Sequence, residues 1–496
     1  MDTATLTLII TAAALVVDLV VRIAALVLVP RNRKPSSAMA WLLAIFLVPY
    51  AGILLYLLIG SAKLPKSRRA KQRQINTLID ETVAQLEPTR QDGWPSWLAP
   101  VVELATSIGS LPMVPGNTAH LLGDYEKSIA AMAADIDRAR RYVHVQFYIV
   151  SFDETTAEFF AALENAVKRG VTVRVLLDHI ASIRAAKHRA TFAELDRIGV
   201  SWEFMLPVQP LKGKYQRPDL RNHRKIVVVD GAIGYVGSQN LIARSYNSKK
   251  NLKRGLKWQE LMTRVSGPAV ASINAVFLGD WYSETDEVLN DENVELPVIE
   301  RQLDAAEALP PGVALDCQVV PSGPGFDQEN NLRLFLALLY SARERVIITS
   351  PYFVPDEAML YAITSCVQRG LEVQLFVSEI GDQGPVFHAQ RSYYGELLAA
   401  GVQIWMYPAP YILHAKHISV DDDVAVIGSS NMDIRSFSLD LEVSLLVHGR
   451  DFVTEMRAVE AGYRAIGREL TAEEWAREPR HSTFLDGLAR LTSALQ

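Results

Sequence analysis

A histidine and a lysine two residues apart, followed at fixed distances by Asp, Gly, Ser and Asn, occur twice in the chain. Residues 223–240 read HRKIVVVDGAIGYVGSQN and residues 414–431 read HAKHISVDDDVAVIGSSN. A single such stretch reads as a hairpin with incidental polar residues; six identities at matching offsets make the pair a duplicated functional unit. In extended backbone, alternation sets His223 beside Lys225 and His414 beside Lys416, each pair offering an imidazole and an ammonium to the same space. That combination suits a phosphate. Ser238, Asn240, Ser429 and Asn431, each after a second short apolar run, add neutral donors, so both copies together would surround one phosphate and stabilise charge on its non-bridging oxygens. One neutral imidazole can attack phosphorus while the other, protonated, donates to the leaving oxygen. This arrangement requires no metal. Asp230 and Asp421 end their strands before a turn, a position that by itself calls only for a structural role.

The elements that must carry these residues also repeat. Tyr142 to Val150 reads as a strand, Thr155 to Arg169 as a helix, Gly170 to Asp178 as a buried strand, Phe192 to Ile198 as a helix and Gly199 to Phe204 as a strand. Arg345 to Ser350, Met359 to Arg369, Gly370 to Ser378 and Gly401 to Met406 follow the same order before the second copy. Strands alternating with helices predict an α/β fold with mixed or parallel sheets covered by helices, in two similar lobes over 116–290 and 312–496. Residues 291–311, acidic and proline-bearing, read as a linker between them. The segment 244–257 carries Arg244, Lys249, Lys250, Lys253, Arg254 and Lys257 without an acid, and reads either as a solvated basic loop or as one touching anionic lipid at the mouth of the site. The last forty residues read as amphipathic helix.

Ahead of the lobes, residues 5–29 and roughly 38–60 are long apolar runs separated by Pro30-Arg31-Asn32-Arg33-Lys34-Pro35. Each is long enough to cross a bilayer core of about 30 Å, so residues 1–62 are expected to form a hairpin of two membrane helices. The first run is too long for a cleaved signal peptide and lacks a basic leader. Asp18 and Arg22, four apart within it, are expected to pair. Lys63, Lys66, Arg68, Arg69, Lys71 and Arg73 follow the second run, which places the large carboxy-terminal part and the amino terminus on the cytoplasmic side and should attract anionic headgroups. Residues 63–115 read as a basic, helical connector, with Trp94 and Trp97 at the membrane interface or against the first lobe. The net charge of −6 over 496 residues argues against nucleic acid as a partner, and Cys317 and Cys366 suggest neither a disulfide framework nor a metal site.

The two motifs resemble the paired His-x-Lys-x4-Asp signatures of the phospholipase D superfamily. That resemblance implies one active site between two similar lobes, His223 as nucleophile through a covalent phosphohistidine, His414 as the acid, and membership of Asp230 and Asp421 in the catalytic signature. It also implies a carboxylate orienting each histidine, for which Glu260 and Glu442 are the candidates, and no cofactor. Over nearly its whole length the chain resembles the bacterial cardiolipin synthases, through VPRNRKPSSAMAWLLAIFLVPYAGILLYLLIG, RNHRKIVVVDG, ITSPYFVPDEAM, RSYYGELLAAGV, LHAK and SSNMDIRSFSLDLEV. Where such proteins more often carry a Ser-Asp pair, this chain has EIGDQGPVFHAQ, in which His388 reads as a local structural or headgroup-shell residue rather than a third catalytic histidine. The implied reaction transfers a phosphatidyl group between two phosphatidylglycerol molecules, releasing glycerol, in a bacterial inner membrane; an oligomer is neither required nor excluded. A hydrolase yielding phosphatidic acid, a nuclease of the superfamily and an inactive membrane scaffold are the competing readings, the last opposed by the filled catalytic positions.

Overall fold

The computed structural model describes residues 3–31, 35–60, 93–289, 314–326 and 329–491, together with Leu64, residues 68–71, Gln74 and Thr77. The proposed linker 291–311 and Lys63, Lys66 and Arg73 lie outside the described residues. Two compact units emerge, one of residues 1–63 with 217–219 and one of the remainder.

In the first unit, α1 (Thr3–Leu28) is the one helix among the described residues long and apolar enough to cross a membrane. Asp18 and Arg22 pair within it at 2.7 Å, and Arg22 also donates to the Phe46 carbonyl at 3.3 Å. The second apolar run differs from its expectation as a single spanning helix. It forms two short helices, α2 (Pro35–Leu47) and α3 (Pro49–Ile59), joined at Val48. Pro49 lacks an N–H and disfavours helical backbone at Val48, whose φ and ψ are −134° and 74°. The arms fold back on one another, bringing the Trp41 and Tyr56 rings to 5.5 Å. At 1.5 Å per residue neither arm reaches the roughly 30 Å of a bilayer core.

The second unit is built on one continuous sheet of sixteen strands. The amino-terminal half supplies β1 (Met113–Leu122), β2 (Tyr142–Phe147), β3 (Thr172–Asp178), β4 (Ser201–Met205), β5 (Arg221–Asn222), β6 (Ile226–Val229), β7 (Ile233–Gly237) and β8 (Met262–Ser266). The other half supplies β9 (Leu315–Ser322), β10 (Arg345–Thr349), β11 (Glu372–Ser378), β12 (Gln403–Tyr407), β13 (His417–Val420), β14 (Val424–Gly428), β15 (Asp440–His448) and β16 (Arg468–Leu470). The order across the sheet is β16-β12-β11-β10-β13-β14-β15-β9-β1-β8-β7-β6-β2-β3-β4, with β5 pairing β15. Outward from the antiparallel β9–β1 seam the two halves run in the same sequence, so the duplication is also a structural one. Strands β2, β3 and β4 pair parallel, as do β10, β11 and β12, and the motif hairpins β6–β7 and β13–β14 are antiparallel.

Both faces of the sheet are covered, which is why the motif strands read as continuous apolar runs. Ile226 and Val228 face a central core, while Val227 and Val229 enter the outer core of the first half. Helices α5 (Ala269–Thr285) and α6 (Arg450–Ile466) close the central core with Val270, Ile273, Phe452 and Met456. Burial of each such side chain contributes about 1.5–3 kcal/mol. The mixed polarity of β13 has its reason here, since Ser419 faces α6 and donates to Glu460 at 2.6 Å. Trp97 is buried in the core of the second half, and Trp94 donates to Asp316 at 2.6 Å, so the tryptophan pair seats there rather than on the first lobe. The basic segment forms a short helix, α4 (Lys249–Arg254). Arg68 pairs with Glu284 and Lys71 with Asp286, so these two charges bind α5 and its end instead of standing free for lipid.

Candidate active site

The two motifs meet because each borrows a strand partner from the opposite half. Arg221–Asn222, just before His223, pairs parallel with Asp440–Leu441, just before Glu442. Tyr411–Leu413, just before His414, pairs parallel with Lys257–Gln259, just before Glu260. The ladders continue as His223 N–H to Leu441 O at 2.8 Å and His414 N–H to Gln259 O at 2.7 Å. Each histidine is thereby laid against the glutamate of the other half. His223 Nδ1 lies 3.0 Å from Glu442 Oε1, and His414 Nδ1 lies 2.8 Å from Glu260 Oε1. A carboxylate at Nδ1 fixes that nitrogen as the donor and leaves Nε2 as the lone-pair atom available for chemistry.

The lysines complete a buried cluster. Lys225 donates to the His223 carbonyl, and Lys416 donates to the His414 carbonyl at 2.7 Å while standing 3.2 Å from His414 Nδ1. Burial pushes Glu260 and Glu442 up to about 7, and pushes Lys225 down to about 7 and Lys416 down to about 8. Burial, reinforced by the two ammonium groups, holds both imidazoles well below their usual range. With neutral imidazoles the two lysines balance the two glutamates. An arriving phosphodiester adds one negative charge, which restores the lysines' affinity for protons and favours imidazolium at one histidine.

Ser238 and Ser429 stand one layer behind the position expected of them. Ser238 Oγ donates to Glu260 at 2.6 Å and Ser429 Oγ donates to Glu442; each accepts from a backbone N–H, of Leu261 and Val443 respectively. The serine protons are thus committed to the carboxylates that hold the histidines, not to substrate phosphate. Gly237 and Gly428 make room for this, since a Cβ at either would overlap the carbonyl of Leu261 or Val443. Asn240 is likewise engaged, accepting from Ile149 N–H at 3.1 Å and donating to Tyr246 Oη at 2.8 Å. Asn431 is buried, with its side-chain carbonyl lacking a hydrogen-bond partner among the described residues.

Asp230 and Asp421 do not join the site. Each lies at the far end of its motif strand with φ near +50°, and each accepts from three backbone amides, of Arg140, Arg141 and Tyr142 or of Arg343, Glu344 and Arg345. These bonds lock the start of β2 and of β10 to the motif hairpins. His388 is remote in role as well, its Nδ1 bound to Asp486 at 2.6 Å.

Several site residues carry no signal in the duplicated frame. Arg224, which has Ala415 as its counterpart, is buried and donates to Glu442 O at 2.9 Å while pairing with Asp280. Tyr148 meets the His223 ring edge-on at 5.0 Å and sits under Lys225; Tyr352 meets the His414 ring at 6.0 Å. The two tyrosines follow corresponding strands, β2 and β10, Tyr352 one residue further along than Tyr148, so an alignment of the halves pairs them only with that one-residue insertion.

Comparison with known proteins agrees with this geometry. Residues 132–281 and 335–460 match the family described as "Cardiolipin synthase, PLD-like domain", and residues 20–61 match "Phospholipase_D-nuclease N-terminal". Cardiolipin synthase A of Pectobacterium atrosepticum is 31% identical over 473 residues, 94% of each chain. That of Erwinia tasmaniensis is 32% identical over 452 residues, 90% of each chain. The crystal structure of a phosphatidylserine synthase from Haemophilus influenzae shares the fold, with a TM-score of 0.59 over 79% of this chain and 99% of its own at 14% identity. The chain therefore belongs to the cardiolipin synthase family, phosphatidyltransferases of the phospholipase D superfamily.

Proposed function

We propose that the enzyme transfers a phosphatidyl group from one phosphatidylglycerol to a hydroxyl of a second, forming cardiolipin and releasing glycerol through a phosphohistidine intermediate. His223 Nε2 attacks phosphorus as the bond from phosphorus to the glycerol oxygen breaks, and His414 gives its proton to that oxygen. His414 then takes the proton of the incoming lipid hydroxyl as its oxygen attacks phosphorus and the bond from phosphorus to His223 breaks. Lys225 and Lys416 neutralise the non-bridging oxygens in both steps. The observation that carries this reading is the crossed pairing of each imidazole with a buried glutamate of the opposite half. The choice of His223 as nucleophile is supported by Asp440, which adds a second carboxylate beside Glu442 near this imidazole, while the two ammonium groups bear on both histidines alike.

We further propose that the catalytic unit lies on the cytoplasmic face of a bacterial inner membrane, on the excess of basic residues between 63 and 73. With α2 and α3 folded back, α1 crosses once, and single cysteines at residue 3 and in α4 should label from opposite faces of sealed vesicles; labelling from the same face would restore two crossings.

The activity is tested by adding purified protein to phosphatidylglycerol vesicles and identifying the lipid products. Cardiolipin with equimolar glycerol is expected, and His223→Ala should form neither. Phosphatidic acid as the main product would make the enzyme a hydrolase instead.

A further inference from the structure

The surroundings of the two histidines differ most at the ends of β3 and β11. In the second half a small pocket lies against Tyr352, lined by that residue, Ser378, Asp382, Gln383, Gln390 and Ile412 among others. Tyr352, its inner wall, is the residue that meets the His414 ring edge-on. Tyr352 Oη lies 3.0 Å from Asp382 Oδ2 and accepts from Gln383 Nε2 at 3.1 Å. Basic helix α4 holds the rim, Arg254 donating to Gly381 O at 3.0 Å and Lys250 to Asp382 O at 3.5 Å. The corresponding place in the first half is filled. Asp178, at the end of β3 where Ser378 ends β11, is fully buried, pairs with Arg221 at 3.1 Å and accepts from the backbone amides of Ala181 and Asn222.

A carboxylate, a phenol and a carboxamide converging on one small pocket form the donor and acceptor set that recognises adjacent hydroxyls. The cationic rim selects for a group attached to an anion and against an ammonium headgroup. His414 handles the proton of the departing glycerol and then of the incoming hydroxyl, so whatever binds beside it is the alcohol of both steps. We propose that Tyr352, Asp382 and Gln383 form the subsite that binds the glycerol headgroup, making the enzyme selective for a polyol acceptor on an anionic phospholipid over simple alcohols and water. This rests on the phosphatidylglycerol reading above.

The test is a competition. Phosphatidylglycerol vesicles, the full-length enzyme and equal concentrations of isotopically labelled glycerol and 1-propanol are incubated, and the ratio of labelled phosphatidylglycerol to phosphatidylpropanol is measured. A variant that merely folds poorly lowers both products and leaves their ratio alone. Asp382→Asn is expected to lower the ratio at least tenfold, and Gln383→Ala, at an exposed position with little bearing on folding, to lower it at least threefold. Ratios within twofold of wild type in both variants would overturn the subsite while leaving the phosphatidylglycerol reading intact. A wild-type enzyme that transfers to neither alcohol and makes no cardiolipin would overturn both.

Discussion

The two halves of the catalytic unit share a frame and differ at its flanks. In both, an aspartate locks the motif hairpin to the start of the neighbouring strand, a serine behind the site holds a glutamate, and that glutamate holds the histidine of the other half. At the flanks, Arg224 and the buried Asp178–Arg221 pair pack the first half tightly, where the second has Ala415, Ser378 and a pocket. What is duplicated is the apparatus that positions an imidazole against a phosphate; what has diverged is the apparatus that treats the two sides of that phosphate differently. Because the glutamates are exchanged, neither half by itself holds a complete histidine–glutamate pair.

The largest effect should come from the histidines. His223→Ala and His414→Ala should each reduce phosphatidyl transfer by about 10^4-fold or more, measured as initial rates on vesicles, because residues acting as a unit fail together. Residual turnover within tenfold of wild type in either variant would break the shared site into two independent ones.

The exchanged glutamates come next. Glu442→Gln and Glu260→Gln keep the shape but lose the charge that fixes the tautomer, and a loss of about 10^2–10^4-fold in kcat is expected for each. If the exchange matters as described, Glu442→Gln impairs formation of the covalent adduct at His223, and Glu260→Gln impairs proton delivery to a poor leaving group but not to an activated one. The opposite assignment in rapid-quench kinetics would show each glutamate serving its own half.

A pH profile sharpens the electrostatic part. In kcat/KM, which reports the free enzyme, the alkaline limb should fall as Lys225 and Lys416 lose protons near pH 7 to 8. The acid limb should fall near pH 7, where Glu260 and Glu442, pushed up by burial, take up protons and cease to fix the imidazoles, while burial keeps His223 itself neutral to well below its usual range. Bound phosphate raises the affinity of both lysines for protons, so the alkaline limb of kcat should sit at higher pH than that of kcat/KM. Coincident limbs would contradict the substrate-linked charging of the site.

The smallest effect on chemistry belongs to the aspartates. Asp230→Asn and Asp421→Asn weaken charge-assisted bonds to three backbone amides each, at a cost of about 1–3 kcal/mol in stability. Thermal unfolding should shift downward, with kcat per folded enzyme changed less than tenfold. A thousandfold loss of kcat at an unchanged melting temperature would return these residues to the catalytic set.

Much of this was legible in the sequence. Tyr142 to Val150 became a strand over Tyr142–Phe147 and Gly401 to Met406 one over Gln403–Tyr407, because strong apolar alternation between turn residues decides such elements locally. The histidines, lysines and glutamates stand out through duplication and resemblance. The role of Ser238 and Ser429 was hidden because a hydroxyl's partner depends on what packs behind it, here a carboxylate 22 and 13 residues along the chain. The short pairings of β5 with β15 and of 411–413 with 257–259 are contacts across the halves that no local pattern encodes. The break in the second apolar run did carry a local signal, Pro49, which the length of the run outweighed.

In the proposed reaction one histidine of the pair carries the phosphatidyl group while the other handles protons. That division of roles is tested most directly by giving the His414→Ala enzyme a phosphatidyl donor with an activated leaving group, quenching in base and mapping the modified peptide by mass spectrometry. A stoichiometric phosphatidyl adduct is expected on His223, one that wild-type enzyme turns over and His223→Ala never forms. An adduct on any other residue, or full turnover with no adduct on the timescale of bond cleavage, would contradict that division.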